Sequence, residues 1–216
     1  MRAVIVAGGR SAGDDEWRRW VREGDWIVGA DGGAARALAW GLRPDLVIGD
    51  MDSLSAEARA ELEAQGCRCV EHPRAKDETD LELALVHAAE QGAEEIVVLG
   101  ALGGRLDHAL ANVLLLTLPQ LAGLPVRIAS GDEEALLARG GESVSITGQP
   151  GDLVSLLPLG GDVQGVTTQG LAWALHGDTL RFGFSRGVSN EMIGSAARVE
   201  VKRGLLLVVH GPPAME

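Results

Sequence analysis

The chain has 216 residues, of which 46% are hydrophobic, so it can bury a sizeable core in one large domain or two small ones. Its 31 acidic and 19 basic residues give a net charge of -12, which makes a nucleic acid a poor partner because its phosphates would be repelled. The first apolar run is too short for a signal peptide, and no run reaches the roughly 18 to 20 residues of a membrane span, so a cytoplasmic protein is expected.

Short apolar runs alternate with helical patterns over residues 1–130, which is typical of βαβ units and a mainly parallel sheet. The predicted strands are 3–7, 26–30, 46–48, 67–70, 95–99 and 126–129. The predicted helices between them are 14–23, 33–40, 55–65, 79–91 and 105–118. We therefore expect an N-terminal α/β domain with a mainly parallel sheet and flanking helices, Rossmann-like in class.

The pattern changes after Ser130, where glycine-rich turns separate short β-like runs and no long amphipathic helix is found. The predicted strands are 135–138, 143–146, 153–157, 163–167, 179–182, 197–201 and 205–209, closed by turns such as Lys202-Arg203-Gly204. Residues 131–216 are therefore expected to form a second, all-β domain of antiparallel strands.

The two cysteines, Cys67 and Cys69, form a C-x-C with no second pair and no nearby histidine cluster, so a zinc site is not expected. We predict that both are reduced thiols, as is usual in cytosolic proteins.

Two aspartates, Asp50 and Asp52, follow the apolar run 46–48 at the point where a strand would end. Side chains at i and i+2 of a strand point the same way, so the two carboxylates are expected on one side of the chain. Like charges this close repel unless a proton or a bound cation joins them, which favours a Mg²⁺ site. The alternative is a loop whose Asp and Ser side chains form turns and cap the helix that begins near Ser55.

A second carboxylate pair, Asp77 and Asp80, lies beside Lys76 at the start of the next predicted helix. Thr79 and Glu82 have the spacing of a capping box, and the helix dipole stabilises acidic residues there without any metal. A functional role gains weight because this loop and the loop of the first pair leave the same edge of a parallel sheet, where ligands bind.

Glycine-rich loops follow three other predicted strands. Gly8-Gly9 and Asp31-Gly32-Gly33 could bring backbone amides close to phosphate, although tight packing is the commoner reason for glycines at such turns. Gly103-Gly104-Arg105 places a guanidinium where it could clamp phosphate oxygens. Asp107 and His108 face different directions on the following helix, so His108 is expected to be structural or to support another group.

The β half contains one polar cluster that is not a plain turn, over residues 185–191. Ser189 and Asn190 supply compact donors and acceptors that could hold a polar heterocycle, and a surface loop explains the cluster equally well.

Five of these motifs occur in one order along nearly the whole chain. They are Asp31-Gly32-Gly33-Ala34, Pro44-Asp45-Leu46-Val47-Ile48-Gly49-Asp50-Met51-Asp52-Ser53, Lys76-Asp77-Glu78-Thr79-Asp80, Gly103-Gly104-Arg105-Leu106-Asp107-His108 and Gly187-Val188-Ser189-Asn190-Glu191. In that order they resemble the thiamin pyrophosphokinase family, and five motifs in register are specific where any one alone is weak.

The resemblance implies an enzyme that transfers the pyrophosphoryl group of ATP to the hydroxyl of thiamin and releases AMP. It implies an ATP-binding α/β domain over 1–130, a thiamin-binding antiparallel β-sandwich over 131–216, and a homodimer with active sites at the interface. Two alternatives stay open. The first is a pyrophosphokinase that acts on a pterin alcohol, and the second is a nucleotide-binding sensor without catalytic activity.

The resemblance also implies roles for the residues of these motifs. Mg²⁺ would be held by Asp50, Asp52, Asp77 and Asp80, and these four with Arg105 would form the catalytic set. ATP would contact Asp31, Gly32, Gly33, Lys76, Thr79, Gly103, Gly104, Asp107 and His108. Thiamin would be bound by Ser189 and Asn190, while Trp173 is either a pocket aromatic or a core residue.

Overall fold

The computed structural model describes residues 1–9 and 16–213, and the chain divides into two compact units, Met1–Gly131 and Asp132–Glu216. The expected division of the sequence, between residues 130 and 131, lies one residue before this boundary. Both cysteines are free thiols, and burial raises the pKa of Cys67 to about 12. In the described part of the chain, no helix has the length and apolar character needed to cross a membrane.

The first unit is built on six parallel strands. They are β1 Arg2–Val6, β2 Trp26–Ala30, β3 Leu46–Gly49, β4 Arg68–Glu71, β5 Glu95–Leu99 and β6 Val126–Ser130. Their order in the sheet is β4-β3-β2-β1-β5-β6, and every neighbouring pair is parallel. Strands β1, β2, β3 and β5 are almost wholly buried, which explains why they appear in the sequence as continuous apolar runs without alternation.

In the described residues of this unit, four α-helices connect the strands from β2 to β6. They are α1 Gly33–Ala39, α2 Ala56–Ala64, α3 Asp80–Glu90 and α4 Leu106–Leu115. The hydroxyls of Ser55 and Thr79 cap α2 and α3, since each accepts a hydrogen bond of 3.2 Å from the amide three residues later. Helix α4 is shorter than the predicted 105–118, and a 3-10 helix, Pro119–Leu121, follows it because a proline cannot continue the helix.

The predicted helix over 14–23 lies partly outside the described residues. Its described part contains only a 3-10 helix, Glu16–Arg19, so a full α-helix there was a wrong expectation. Trp17 and Trp20, three residues apart, both pack on the core beside β1 and β2, and a 3-10 turn brings residues at that spacing to one side. The indole of Trp20 also donates a hydrogen bond to the carbonyl of Gly131.

The second unit consists of antiparallel strands. They are β7 Glu133–Arg139, β8 Ser143–Thr147, β9 Leu153–Gln169, β10 His176–Leu180, β11 Asn190–Glu191, β12 Ala196–Glu200 and β13 Arg203–Gly211. Valine, leucine and isoleucine side chains from most of them form one core cluster that includes Val154, Leu156, Val166 and Val208. The short strand β11 was not predicted, because two residues carry no periodicity.

Strand β9 corrects two sequence expectations. It is one strand of 17 residues where two strands, 153–157 and 163–167, were predicted. It pairs with β13 from Leu153 to Gln164 and with β10 and β12 from Val163 onward, so Gly160 and Gly161 lie at a register shift in the β13 pairing rather than at a chain reversal. For the same reason the turn at Lys202-Arg203-Gly204 is not a hairpin, since β12 pairs with β8 and β9 whereas β13 pairs with β7 and β9.

Candidate active site

A cleft of about 570 Å³ opens in the first unit where the strand order reverses between β1 and β5. In open parallel sheets this reversal separates the loops that leave the two strands and creates a ligand-binding crevice. The cleft is lined by Ala7, Gly8, Gly9, Ala30, Asp31, Gly32, Ser53, Thr79, Asp80, Leu81, Ala101, Gly103, Gly104, Arg105, His108 and Asn112. Loops that follow β1, β2, β3, β4 and β5 all contribute to it, as the sequence predicted for this sheet edge.

Three carboxylates form a compact cluster at this edge. Oxygen atoms of Asp31, Asp50 and Asp52 all lie within 4.8 Å of one another. The Ser53 hydroxyl donates a hydrogen bond to Asp31 Oδ2 at 2.5 Å, whereas Asp31 Oδ1 is buried without a hydrogen-bond partner among the described residues. Hard carboxylate oxygens are the donors that Mg²⁺ prefers, and the orphaned Oδ1 is the kind of atom that a cation satisfies. The residues therefore fit a Mg²⁺ ion.

The turn after β3 brings Asp50 and Asp52 together by a route that the sequence did not predict. Strand β3 ends at Gly49, and Met51 has a φ of 62°, so the chain does not continue as a strand through the two aspartates. The Met51 side chain is buried beneath this turn, and the amide of Asp52 donates a hydrogen bond to Asp50 Oδ1 at 3.2 Å. The carboxylates of Asp50 and Asp52 lie close together, as the sequence predicted. The reason is the turn after β3 and not the alternation of side chains along a strand.

The second predicted pair, Asp77 and Asp80, is not part of this cluster in the described structure. Asp80 lines the cleft and forms an ion pair with Lys76, whose Nζ lies 2.9 Å from Asp80 Oδ1. Asp77 is exposed and does not line the cleft. The third carboxylate beside Asp50 and Asp52 is therefore Asp31, which had been expected to contact ATP, and not Asp77 or Asp80.

The guanidinium of Arg105 reaches the cleft but is engaged by Asp107. Arg105 Nε and Nη2 donate to the two carboxylate oxygens of Asp107 at 3.1 and 2.6 Å. This pairing lowers the pKa of Asp107 and raises the pKa of Arg105. Both side chains are exposed, and exposed ion pairs are held weakly, so an anionic ligand can take the place of Asp107.

Close packing explains two of the predicted phosphate-loop glycines. A Cβ on Gly33 would lie 1.8 Å from the carbonyl oxygen of Val6, and one on Gly9 would lie 2.4 Å from that of Gly100. Gly32 meets nothing closer than 3.5 Å, and Gly104 meets nothing within 4 Å, so these two leave open space beside the cleft. Close packing therefore accounts for Gly9 and Gly33, and an approach of the Gly32 and Gly104 backbone to phosphate stays a prediction.

Sequence reasoning missed Ser53 and Asn112 as site residues. Ser53 orients Asp31, and Asn112 donates a hydrogen bond from Nδ2 to the carbonyl of Ala101 at 2.8 Å. Asn112 follows His108 by four residues on α4, so the two occupy one face of the helix, and both line the cleft. That spacing was the available signal. It also places the exposed His108 side chain in the cleft, for which the residue pattern had predicted a structural or supporting role and the family resemblance a contact with ATP.

The polar cluster of the second unit has a different character. Asn190 is buried, and its side chain bonds to the main chain of Trp173, whereas the Trp173 indole is 60% exposed and is therefore no core residue. Ser189 is exposed with a φ of 56°, and its amide donates a hydrogen bond to Ser155 Oγ at 3.0 Å.

Comparison with protein families identifies both units. Residues 17–128 match the family described as thiamin pyrophosphokinase, catalytic domain, and residues 143–206 match its vitamin B1 binding domain. The chain belongs to the thiamin pyrophosphokinase family. The family that five sequence motifs had suggested is thereby confirmed.

Individual relatives agree with this membership over the full length. Thiamine pyrophosphokinase of Bacillus subtilis (strain 168) is 27% identical over 205 residues, which cover 95% of this chain and 96% of the relative. The crystal structure of thiamine pyrophosphokinase from Bacillus subtilis superimposes with a TM-score of 0.86 at 26% identity, covering 99% of this chain and 100% of that one. The one from Geobacillus thermodenitrificans gives 0.84 at 29% identity, with 99% of each chain covered.

Proposed function

We propose that this protein is a thiamin pyrophosphokinase that transfers the pyrophosphoryl group of ATP to the hydroxyl of thiamin, giving thiamin diphosphate and AMP. The observation that carries the proposal is the carboxylate-lined cleft at the strand-order reversal of a chain in this family. In the reaction the thiamin hydroxyl oxygen attacks the β-phosphorus of ATP. The bond from that phosphorus to the α–β bridging oxygen breaks, AMP leaves, and the hydroxyl proton passes to a carboxylate of the cleft.

Asp31, Asp50 and Asp52 are proposed to hold Mg²⁺. Bound there, the ion would neutralise phosphate charge in a protein whose own net charge is -12. The role of the chain is to keep the three carboxylates in place, and Ser53 does so for Asp31 through its hydrogen bond. Asp77 and Asp80 stay predicted metal ligands, which substitution of each can test.

Two cations are proposed to bind phosphate oxygens: Arg105, which lines the cleft, and Lys76, which does not line it but is paired with the cleft residue Asp80. Arg105 would exchange its carboxylate partner for a phosphate group of ATP, since a guanidinium pairs with either in the same bidentate way. Lys76, at present paired with Asp80, would supply a second positive charge. Gly32, Thr79, Gly103, Gly104 and His108 line the cleft and stay predicted ATP contacts, as do Gly33 and Asp107, which do not line it.

Thiamin is proposed to bind at the second unit, which we infer to be a β-sandwich, while the first is a Rossmann-like ATP-binding domain. The exposed Trp173 indole offers an apolar face to a cationic aromatic ring, an attraction that aromatic faces exert on cations. The exposed Ser189 precedes Asn190, whose side chain bonds to the main chain of Trp173, and can hydrogen-bond to the same ligand. Free thiols at Cys67 and Cys69 suit a reducing compartment, which supports a cytoplasmic location.

A homodimer is proposed from helix α4. Leu106, Leu110 and Leu114, at successive turns of this helix, are 74%, 57% and 54% exposed, and no residue of α4 is fully buried. We call these residues the α4 leucine stripe. We propose that a second copy of the chain covers the α4 leucine stripe, which would place active sites at the interface because the stripe begins directly after Arg105.

We expect Leu110→Glu to convert the dimer into a monomer in light scattering. A wild-type protein that is already a monomer would overturn the homodimer proposal.

A coupled assay for AMP, run with ATP, Mg²⁺ and thiamin, tests the function. We expect AMP release that requires both thiamin and Mg²⁺. Release with hydroxymethylpterin in place of thiamin would indicate the pterin alcohol as acceptor. ATP binding without any acceptor-dependent AMP release would indicate a nucleotide sensor instead.

A further inference from the structure

The exposed indole of Trp173 lies between buried neighbours. Leu171 and Leu175, two residues before and after it, are 3% and 7% exposed, while Trp173 is 60% exposed. A large apolar side chain that projects from a buried segment binds a ligand well only if its backbone is fixed beforehand. Otherwise the ligand must provide the free energy that orders it.

Asn190 supplies that fixation. Its Oδ1 accepts hydrogen bonds from the amides of Trp173 at 3.0 Å and Glu191 at 2.9 Å, and its Nδ2 donates to the carbonyl of Trp173 at 2.7 Å. The side chain is therefore bonded to both polar main-chain groups of one residue, as a neighbouring strand would be. The Asn190 residue is only 5% exposed, and both acceptor sites of its oxygen are used.

We propose that Asn190 is a positioning residue, which sets the orientation of the Trp173 indole for thiamin instead of contacting thiamin itself. The proposal rests on the proposed thiamin site at Trp173. It reassigns one member of the motif Ser189-Asn190: the exposed Ser189 faces the ligand, and the buried Asn190 acts through Trp173.

The matched control is Thr168, which braces the other end of the same segment. Thr168 Oγ1 accepts a buried hydrogen bond of 2.9 Å from the amide of Leu175 and does not touch Trp173 in the described contacts. Thr168→Val therefore removes one buried bond to this segment at nearly constant shape. Any change in the thiamin KM of this variant therefore comes from the lost stability of the segment and not from a changed contact with Trp173.

The test is a double-mutant cycle with Asn190→Ala and Trp173→Ala, read as KM for thiamin, KM for ATP and kcat. We expect Asn190→Ala to raise the thiamin KM about tenfold with the ATP KM unchanged, and to have no further effect once Trp173 is alanine. Thr168→Val should leave the thiamin KM unchanged. An equal rise in both backgrounds, or no rise in either, overturns the proposal.

Labelling with 5-fluorotryptophan gives a readout that does not need turnover. The ¹⁹F resonance of Trp173, assigned by its loss in Trp173→Phe, should be narrow in the wild type and in Thr168→Val, and shifted or broadened in Asn190→Ala. An unchanged resonance overturns the proposal even if the protein has no thiamin-dependent activity.

If activity is normal but Trp173→Ala leaves the thiamin KM unchanged, the positioning role fails while the function stands. Should Asn190→Ala not fold, Asn190→Asp, which keeps the oxygen acceptors and loses the donor, takes its place with the same expectations.

Discussion

Two clusters of three titratable side chains, one in each unit, differ in how their polar atoms are satisfied. In the first unit Asp31, Asp50 and Asp52 bring three negative charges together beside the exposed guanidinium of Arg74, whose Nη2 lies 3.3 Å from Asp52 Oδ2, and one buried oxygen of Asp31 has no partner among the described residues. In the second unit His210 lies between two carboxylates, with Nδ1 3.2 Å from Glu134 Oε1 and Nε2 3.1 Å from Asp152 Oδ2. The second cluster contains its own cation, since an imidazolium can neutralise the acids on either side.

The difference separates a site from a structural network. Like charges that stay unneutralised raise the free energy of the folded chain, so a cluster of this kind favours the binding of a ligand that supplies opposite charge. A buried histidine with an acceptor on both nitrogens is already satisfied and 2% exposed, so it offers nothing to a ligand. Counting titratable residues would rank the two clusters alike, whereas the unpartnered oxygen of Asp31 distinguishes them.

The largest expected effect is the loss of a metal ligand. We expect Asp31→Asn and Asp50→Asn each to lower kcat by about 10³-fold or more, because each removes charge that holds Mg²⁺. Titration calorimetry with Mn²⁺ should show weaker binding in both variants. Glu78→Gln, an exposed charge change beside the cleft loops, is the control and should keep normal turnover. Normal turnover in Asp31→Asn would remove Asp31 from the proposed metal site.

A crowding variant should disturb the same cluster without changing its charge. A Cβ on Gly49, whose φ is 151°, would lie 2.9 Å from Asp31 Cβ and 3.0 Å from Asp80 Oδ1. We expect Gly49→Ala to lower kcat by about 100-fold because Asp31 must move, and misplaced groups cost that much.

The matched control for this variant is Gly66→Ala. Gly66 has a φ of 92° and nothing within 4 Å of its added Cβ, so the substitution should destabilise the fold by about 1 kcal/mol and leave kcat unchanged. Thermal unfolding and the AMP assay measure the two effects separately. Equal losses of activity in both variants would mean that backbone strain, and not contact with Asp31, is responsible.

The smallest expected effect concerns the histidine network. The hydrogen bond to Glu134, assisted by Asp152, raises the pKa of His210 above its ordinary value of 6.5, although burial opposes this. Since the folded-state pKa is the higher one, the stabilisation is fully present below pH 6.5 and is lost as the pH rises through the folded-state pKa. We expect Tm to fall by a few degrees across that window, and His210→Gln to abolish this part of the pH dependence.

His176→Gln is the control for that variant, because His176 is an exposed histidine of the same unit. It should reproduce the wild-type dependence of Tm on pH. If His210→Gln does so as well, His210 is not the group that couples stability to pH.

The sequence by itself determined the strands of the first unit and the family. Buried parallel strands require continuous apolar runs, and the glycines and aspartates that follow them are local features of the chain. Tertiary structure alone decided that Asp31 joins Asp50 and Asp52, that Asp77 does not, and that Asn190 faces the main chain of Trp173. The contacts of Asp31 with the pair and of Asn190 with Trp173 join residues 17 to 21 positions apart, and no local pattern encodes which side chains meet across such loops.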